Sequence, residues 1–376
     1  MMEHRRALLI LNLLPGVGPV RKRILETRFG SVERALGATR AELCACPGIG
    51  PKVAEELCGW SHWCDPDDEL RLAGQSGVRI LMEEDAEYPP LLRQIHDPPI
   101  CLYCVGDVSL LAKTEMALAI VGSRHCTGYG EKMAGLFATE ASQAGWPVVS
   151  GLARGIDTAA HEATLQAGGR TIAVIGSGLT KIYPRENLGL ATRIASSGGV
   201  LLTEFPMRTN PDKRSFPMRN RIIAGISRGT LVVEAGCQSG SLITAMQAIE
   251  QGRTVFAVPG RADTPFAKGC HSLLRDGAVL AESMEDIVNE YTLLPGLAPP
   301  PKTPQCASPP PQELTNLSLT PLEEKLLALM REGVLQMDLL TERSGEEPQC
   351  VLAALLAMEM KRLVRQLPGR MLELRI

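Results

Sequence analysis

The sequence predicts an α/β protein: a Rossmann-like doubly wound parallel sheet, with an N-terminal helical domain of helix-hairpin-helix (SAM-like) type and a C-terminal winged-helix-like domain. Three observations predict it. Six apolar runs, nearly all closing on Gly or Ser, alternate with helical patterns between residues 117 and 260. A Gly-x-Gly hairpin recurs with an offset of 32 residues near the N-terminus. A proline-rich stretch after residue 294 sets off a helical tail. The boundaries follow: 1–75, 76–294, a linker at 295–319, and 320–376.

In the first domain "LPGVGPV" (14–20) and "CPGIGPKVA" (46–54) each place a tight turn between helical patterns. Glycine permits the turn, and the helix that follows opens with free backbone N–H groups suited to a phosphate. Two readings stand for this module, sequence-independent DNA contact and plain helical packing, because only Arg21, Lys22, Arg23 and Lys52 supply charge nearby. "ICLYCVG" (100–106) reads as a strand whose cysteines pack as small apolar groups. The six runs that follow are "ALAIVGS" (117–123), "PVVSG" (147–151), "TIAVIGSG" (171–178), "GVLLTEF" (199–205), "GTLVVEAG" (229–236) and "TVFAVPG" (254–260). Continuous apolar strands alternating with helices require a parallel sheet covered on both faces. "PGLAPPPKTPQCASPPPQEL" is too rich in proline to fold and reads as a semi-extended linker. After it, "TPLEEKLLALMREG", "QMDLLTERSG" and "EPQCVLAALLAMEMKRLV" read as three helices, and "RQLPGRMLELRI" as a hairpin. Thr320 before Pro321 and Glu323 is a helix-start signal. Nine acids against eight bases between 321 and 376 leave duplex DNA and a protein as equal partners for this tail.

With 376 residues, 45% hydrophobic content and 22% charge, the chain has material for sizeable cores. Its formal net charge of -3 excludes a protein that is basic throughout, so a polyanion must meet a local patch. Residues 205–228 supply one, where Arg208, Lys213, Arg214, Arg219, Arg221 and Arg228 stand against a single acid, Asp212. No run reaches the ~18 apolar residues of a membrane span. "MMEHRRALLILNLLPGVG" puts basic residues before a short apolar run, yet no small-x-small cleavage site follows, and no secretion signal is expected. Eleven cysteines, odd in number and scattered through apolar segments, suit a reducing cytoplasm. Cys44, Cys46, Cys58, His62 and Cys64 match no standard zinc spacing, so no metal is expected there.

Sheets of this kind bind ligands at the carboxyl ends of their strands. The candidates there are Gly122, Ser123 and Arg124 after the first of the six runs, and Gly151, Arg154 and Gly155 after the second. Gly178, Arg185 and Asn187 follow the third, and Ser239, Gly240 and Ser241 the fifth. "GSGLTK" lacks the third glycine of G-x-G-x-x-G, and no GxxxxGK[ST] loop is present, which argues against a dinucleotide or a P-loop. "GCQSGSLITA" resembles the PGGxGTxxE loop of lysine-decarboxylase-like nucleotide hydrolases, with Thr244 where the catalytic glutamate belongs. That departure makes a nucleotide-monophosphate hydrolase the alternative function. A nucleic-acid backbone fits better: Arg124, Arg154, Arg185, Arg219 and Arg221 offer charge at several strand ends, and Phe216 and Tyr183 offer faces for a base. Asn220 separates Arg219 from Arg221, so the two cannot share one groove. At least one pairs inside the protein, with Glu204 or Glu234 as candidate partners. "RIIAGI" anchors a helix on the sheet while the leading end of "FPMRNR" walls the groove.

Taken in order, "AIVGSR", "SGLARGIDTAAH", "GGRTIAVIGSGLTKIYPREN", "LLTEFP", "FPMRNRIIAGIS", "VVEAGCQSGSLITAMQAIEQGR" and "VFAVPG" resemble the DNA-processing protein A (DprA/Smf) family over about residues 85–290. The resemblance implies a single-stranded DNA-binding protein that loads RecA recombinase in natural transformation and recombination, with no enzymatic activity and no cofactor. It implies that Ser123, Arg124 and Arg185 grip phosphates, and that two copies pair through the Rossmann-like domain. His271 departs from the asparagine common at its place.

Overall fold

A computed structural model describes residues 2–292, 320–331, 337–361, 363–367 and 371–374. Met1–Lys302 form one compact unit and Thr303–Ile376 a second. The stretch 295–319, read as a linker, lies outside the described residues.

The first unit opens with seven short helices: α1 (Met2–Leu13), α2 (Pro19–Phe29), α3 (Val32–Leu36), α4 (Arg40–Cys44), α5 (Pro51–Cys58), α6 (Trp60–Trp63) and α7 (Pro66–Gln75). Gly16 and Gly48 turn the two hairpins at φ of +71° and +76°, a region open to glycine without strain. Pro19 and Pro51 then start α2 and α5 where a missing N–H costs nothing. Leu8, Leu11, Leu25, Leu43, Ile49 and Leu57 form a core that continues onto Met82, Cys101 and Tyr103 of the sheet.

Nine strands follow: β1 (Arg79–Met82), β2 (Cys101–Gly106), β3 (Leu118–Val121), β4 (Val148–Ser150), β5 (Thr171–Val174), β6 (Val200–Thr203), β7 (Gly229–Val232), β8 (Thr254–Ala257) and β9 (Val279–Leu280). They lie in the order β1-β2-β6-β5-β4-β3-β7-β8-β9. The six apolar runs are β3 to β8, and these pair in parallel with one another and with β9. The sheet is nevertheless mixed, because β2 runs antiparallel to β6 and β1 antiparallel to β2. The N-terminal helices pack against one face of these outer two strands, on Met82, Cys101 and Tyr103.

Between the strands lie α8 (Gly128–Gln143), α9 (Ile156–Gln166), α10 (Leu188–Ser196), α11 (Ser215–Ile226), α12 (Gly240–Glu250) and α13 (Lys268–Arg275), and α14 (Met284–Thr292) follows β9. On one face Phe137, Ile156 and Ile287 pack against Ile120, Val148 and Leu231. On the other, Ile222, Ile223, Ala245 and Leu273 pack against Ala119, Val121 and Ile172. Strand order reverses between β3 and β7, and a crevice is expected outside the carboxyl ends at such a point.

In the second unit α15 (Pro321–Arg331), α16 (Met337–Ser344) and α17 (Pro348–Met360) precede an antiparallel hairpin of β10 (Val364–Leu367) and β11 (Met371–Leu374). Leu326, Leu340, Val351, Leu355 and Leu372 close its core. The Thr320 start signal is a reciprocal capping box: the Thr320 amide donates to Glu323 Oε2 at 2.7 Å, and the Glu323 amide to Thr320 Oγ1 at 3.3 Å. Among the described residues, no helix is long and apolar enough to cross a membrane.

Candidate nucleic-acid interface

The loops after β3, β4 and β5 surround a narrow cleft lined by Arg124, Gly151, Ala153, Arg154, Tyr183, Pro184, Phe216 and Arg219. Helix α11 lays Phe216 and Arg219 across the sheet's edge from the side. Arg124 is exposed, and its guanidinium carbon stands 5.2 Å from the centre of the Phe216 ring. The Tyr183 ring tilts against Phe216 at 5.8 Å. Arg154 is also exposed and pairs with Glu186. Arg185 follows Pro184 on a short 3-10 turn, exposed and without a carboxylate partner among the described residues. Exposed guanidiniums beside an aromatic pair can hold phosphates and stack a base at the same time.

Arg219 forms the floor. Its Nη1 donates to the carbonyls of Gly151 and Val174, while its Nε has no partner among the described residues. Burial pulls its pKa down to about 10, against Asp157 nearby, with Arg124 lowering it further. The guanidinium therefore stays charged at neutral pH with donor capacity unspent, a standing attraction for an anion. Asp157 accepts from the Gly151 and Ala153 amides at 3.1 and 3.3 Å and shapes the loop above it. A Cβ on Gly151 would lie 2.3 Å from Arg219 Nη1, so the backbone reaches the arginine only as glycine.

The first two loops are locked together. Gly155 holds φ at +72°, and a Cβ there would sit 2.3 Å from the Ser123 carbonyl oxygen. The Ile156 amide donates to that same oxygen, and the Ser123 amide donates to Glu234 O at 2.7 Å. Gly122 has no room either, with Ile156 Cγ1 2.5 Å from where its Cβ would be. Ser123 Oγ accepts from the His125 amide.

Several predicted residues stand elsewhere. Arg221 is buried, its Nη1 and Nη2 donating to Glu204 at 2.9 and 2.7 Å and its Nε to Asp97 at 2.9 Å. Burial works against its charge, yet these two carboxylates hold its pKa above the ordinary arginine value. Arg221 is thus the structural arginine, Glu204 its partner, and Glu234 pairs with neither arginine. Asn187 is buried behind the cleft, donating to Leu152 O and Thr158 Oγ1, both at 2.9 Å. Gly178 packs against the carbonyls of Pro206 and Met207, where a Cβ would lie 2.2 Å from each. Asn220 contacts Gly240 O at 3.4 Å. Ser239 caps α12 by accepting from the Ser241 amide, so Ser239, Gly240 and Ser241 form a helix start outside the cleft lining. Thr244 is buried on α12, whose one carboxylate is Glu250 at its far end. Glu186, which competes for Arg154, was not anticipated; "PREN" puts it beside Arg185, but only the fold brings it to Arg154.

The flanking modules offer less charge than their sequences suggest. Arg21 donates to the carbonyls of Gly16 and Gly48, Lys22 pairs with Glu26 and Glu83, and Arg23 donates to His96 O. Arg23 and Lys52 are exposed without an ion pair among the described residues, Arg23 being tied to that one carbonyl. Helix α17 carries no Lys or Arg and exposes Leu352 and Leu356. Cys46, Cys58 and Cys64 each donate to a nearby carbonyl, and no three metal-ligating side chains converge among the described residues.

The family model "DNA recombination-mediator protein A" matches residues 79–292. The chain belongs to the DprA/Smf family. Family models for a DprA winged helix domain and for a SAM-like helix-hairpin-helix tandem match residues 307–370 and 8–58. The chain is 47% identical to the Bacillus subtilis DNA processing protein DprA over 57% of its length and 72% of the relative's. It is 41% identical to protein Smf of Escherichia coli over 78% of its length and 77% of the relative's. The solved DNA processing protein A of Streptococcus pneumoniae superposes with a TM-score of 0.64 at 35% identity, over 77% of this chain and 98% of that one. A Helicobacter pylori DNA processing protein A, solved for its single-stranded DNA binding mode, superposes at 0.51 and 31% identity over 57% and 96%.

Proposed function

We propose that this protein binds single-stranded DNA along the carboxyl edge of its sheet and delivers RecA recombinase to that strand in natural transformation and recombination. The observation that carries the reading is the cleft itself, with exposed Arg124 and Arg154 flanking Phe216 and the charged Arg219 beneath. Phosphates spaced along a flexible strand meet the arginines, and one base at a time meets the ring; a stiff duplex hides its bases from that ring. The family match and the single-stranded DNA-binding relative point the same way. The protein acts by binding rather than by catalysis, and Thr244 at the expected acid position supports that. It works in the cytoplasm as a homodimer; exposed Ile243, Met246 and Ile249 form an apolar stripe on α12 that a second copy would cover.

Titrating a short single strand and its duplex at several salt concentrations tests the DNA reading, which fails if the single strand is not preferred or if salt has no effect. A RecA pull-down, run with and without single-stranded DNA, tests delivery; recovering none in both arms removes it. Sedimentation shows the oligomeric state, and a monomer at micromolar concentration removes the homodimer.

A further inference from the structure

A second cleft opens across the point where strand order reverses, at the carboxyl ends of β7 and β8. It encloses about 500 Å³, within the range of small-ligand pockets. Val233 and Val258 make an apolar wall, Tyr129 and Thr264 line its sides, and Glu234 and Arg261 supply charge. The Tyr129 hydroxyl donates to Pro259 O at 2.8 Å, which fixes the ring. Glu234 is 4% exposed and has no cation partner among the described residues. Its Oε2 accepts the Thr127 amide at 2.8 Å and its Oε1 the Thr127 hydroxyl at 2.6 Å. A carboxylate offers about four lone-pair sites, so each oxygen keeps one acceptor site. Gly130 leaves the carboxylate its place, since a Cβ there would lie 2.4 Å from Oε2.

We infer that this second cleft is a guanine pocket, and for a guanine carried in a strand the inference rests on the single-stranded DNA reading above. Two parallel carboxylate acceptors match two adjacent donors, and guanine presents them as N1–H and the 2-amino group. Adenine and cytosine set an acceptor beside their amino group, and thymine flanks its one N–H with two carbonyls, so each would turn an acceptor toward Glu234. Val233 and Val258 cover the purine's apolar body, and exposed Arg261 at the mouth, which donates to Asp263 through Nε and Nη2, would share its charge between that carboxylate and a phosphate. One loop joins the two clefts: Arg124 lines the first, and Thr127 and Tyr129 line the second. A strand lying on Arg124 and Phe216 therefore needs only that short loop to reach Glu234. The same edge is offered by a free guanine nucleotide.

The test compares all-dT strands with strands in which one central dT is replaced by dG or by dI, which lacks the 2-amino group, using fluorescence anisotropy on the full chain. The dG strand should bind roughly tenfold tighter than the other two, the scale of a charge-assisted hydrogen bond. Glu234→Gln should abolish that preference. Thr264→Trp, which adds bulk to the cleft's side wall and leaves Glu234 in the sequence, should abolish it as well, so a folding defect in one variant leaves the other to decide. Calorimetry with dGMP and dIMP separates the sources: binding of dGMP over dIMP without strand discrimination keeps the guanine pocket and assigns it to a free nucleotide. Equal binding of the three strands together with no dGMP binding overturns the inference. The salt dependence of the wild-type protein on all-dT reports the first cleft separately, so the two readings fail independently.

Discussion

Replacing Arg124 and Arg185 together with alanine removes two exposed cations that have no carboxylate partner among the described residues. Each phosphate a cation neutralises on a single strand contributes about 0.7 to the slope of log affinity against log salt. Losing both contacts should flatten the slope by about 1.4. Between 50 and 200 mM salt, roughly a fourfold rise, the wild-type protein should then lose about sevenfold more affinity than the double variant. Anisotropy of a labelled dT strand over that range measures both slopes, with the thermal transition of the variant confirming its fold. Identical slopes would refute the placement of the strand on this edge, whatever happened to the affinity at any single salt concentration.

Glu186→Gln should tighten single-stranded DNA binding and steepen the salt slope by up to about 0.7, because Arg154 is then free for a phosphate; unchanged binding would show that Arg154 does not meet the strand. Arg221→Ala should cost about 3–5 kcal/mol in urea unfolding, since it strands the buried Glu204 carboxylate, while the salt slope of the folded protein stays put. A flattened slope there would return Arg221 to the groove. His161 is buried, with Nδ1 against Thr171 Oγ1 at 2.7 Å and Nε2 unpartnered among the described residues, and burial pulls its pKa down to about 3, with Arg219 adding to the effect. Below its unfolded pKa of about 6.5 the unfolded chain takes up a proton that the fold refuses, so stability is full above that pH and falls toward about pH 3. Between pH 5.5 and 4.5 the wild-type protein should lose about 1.4 kcal/mol more than His161→Gln in urea unfolding, and equal losses would refute the assignment.

The architecture was legible because its signals are local. Apolar runs of strand length, the Gly-x-Gly repeat and Thr320 with Glu323 each declare an element within a few residues, and β3 to β8, both hairpins and α15 lie where those signals put them. β1 and β9 escaped notice because "RILM" opens on a charged residue and runs into acids rather than closing on Gly or Ser, and β9 has only two residues. The antiparallel pairing of β1 and β2 depends on which neighbours cover them, and that is not a local property. The site divides the same way. Gly122, Gly151 and Gly155 mark turns that sequence shows, whereas the fates of Arg219 and Arg221 depend on contacts 45 and 17 residues away, with Val174 and Glu204.

By itself, then, the sequence determined the three modules, the strand ends where ligands gather and the arginines available there, since these follow from side-chain chemistry and short-range backbone preference. Only the tertiary structure decided which arginine serves which purpose. Residues 219 and 221 are two apart on a helix and so turn about 200° from one another. One guanidinium reaches the cleft floor and the other the buried Glu204 carboxylate with half-buried Asp97 beside it, and desolvation makes each choice final: a buried charge must stay with the partners the fold supplies.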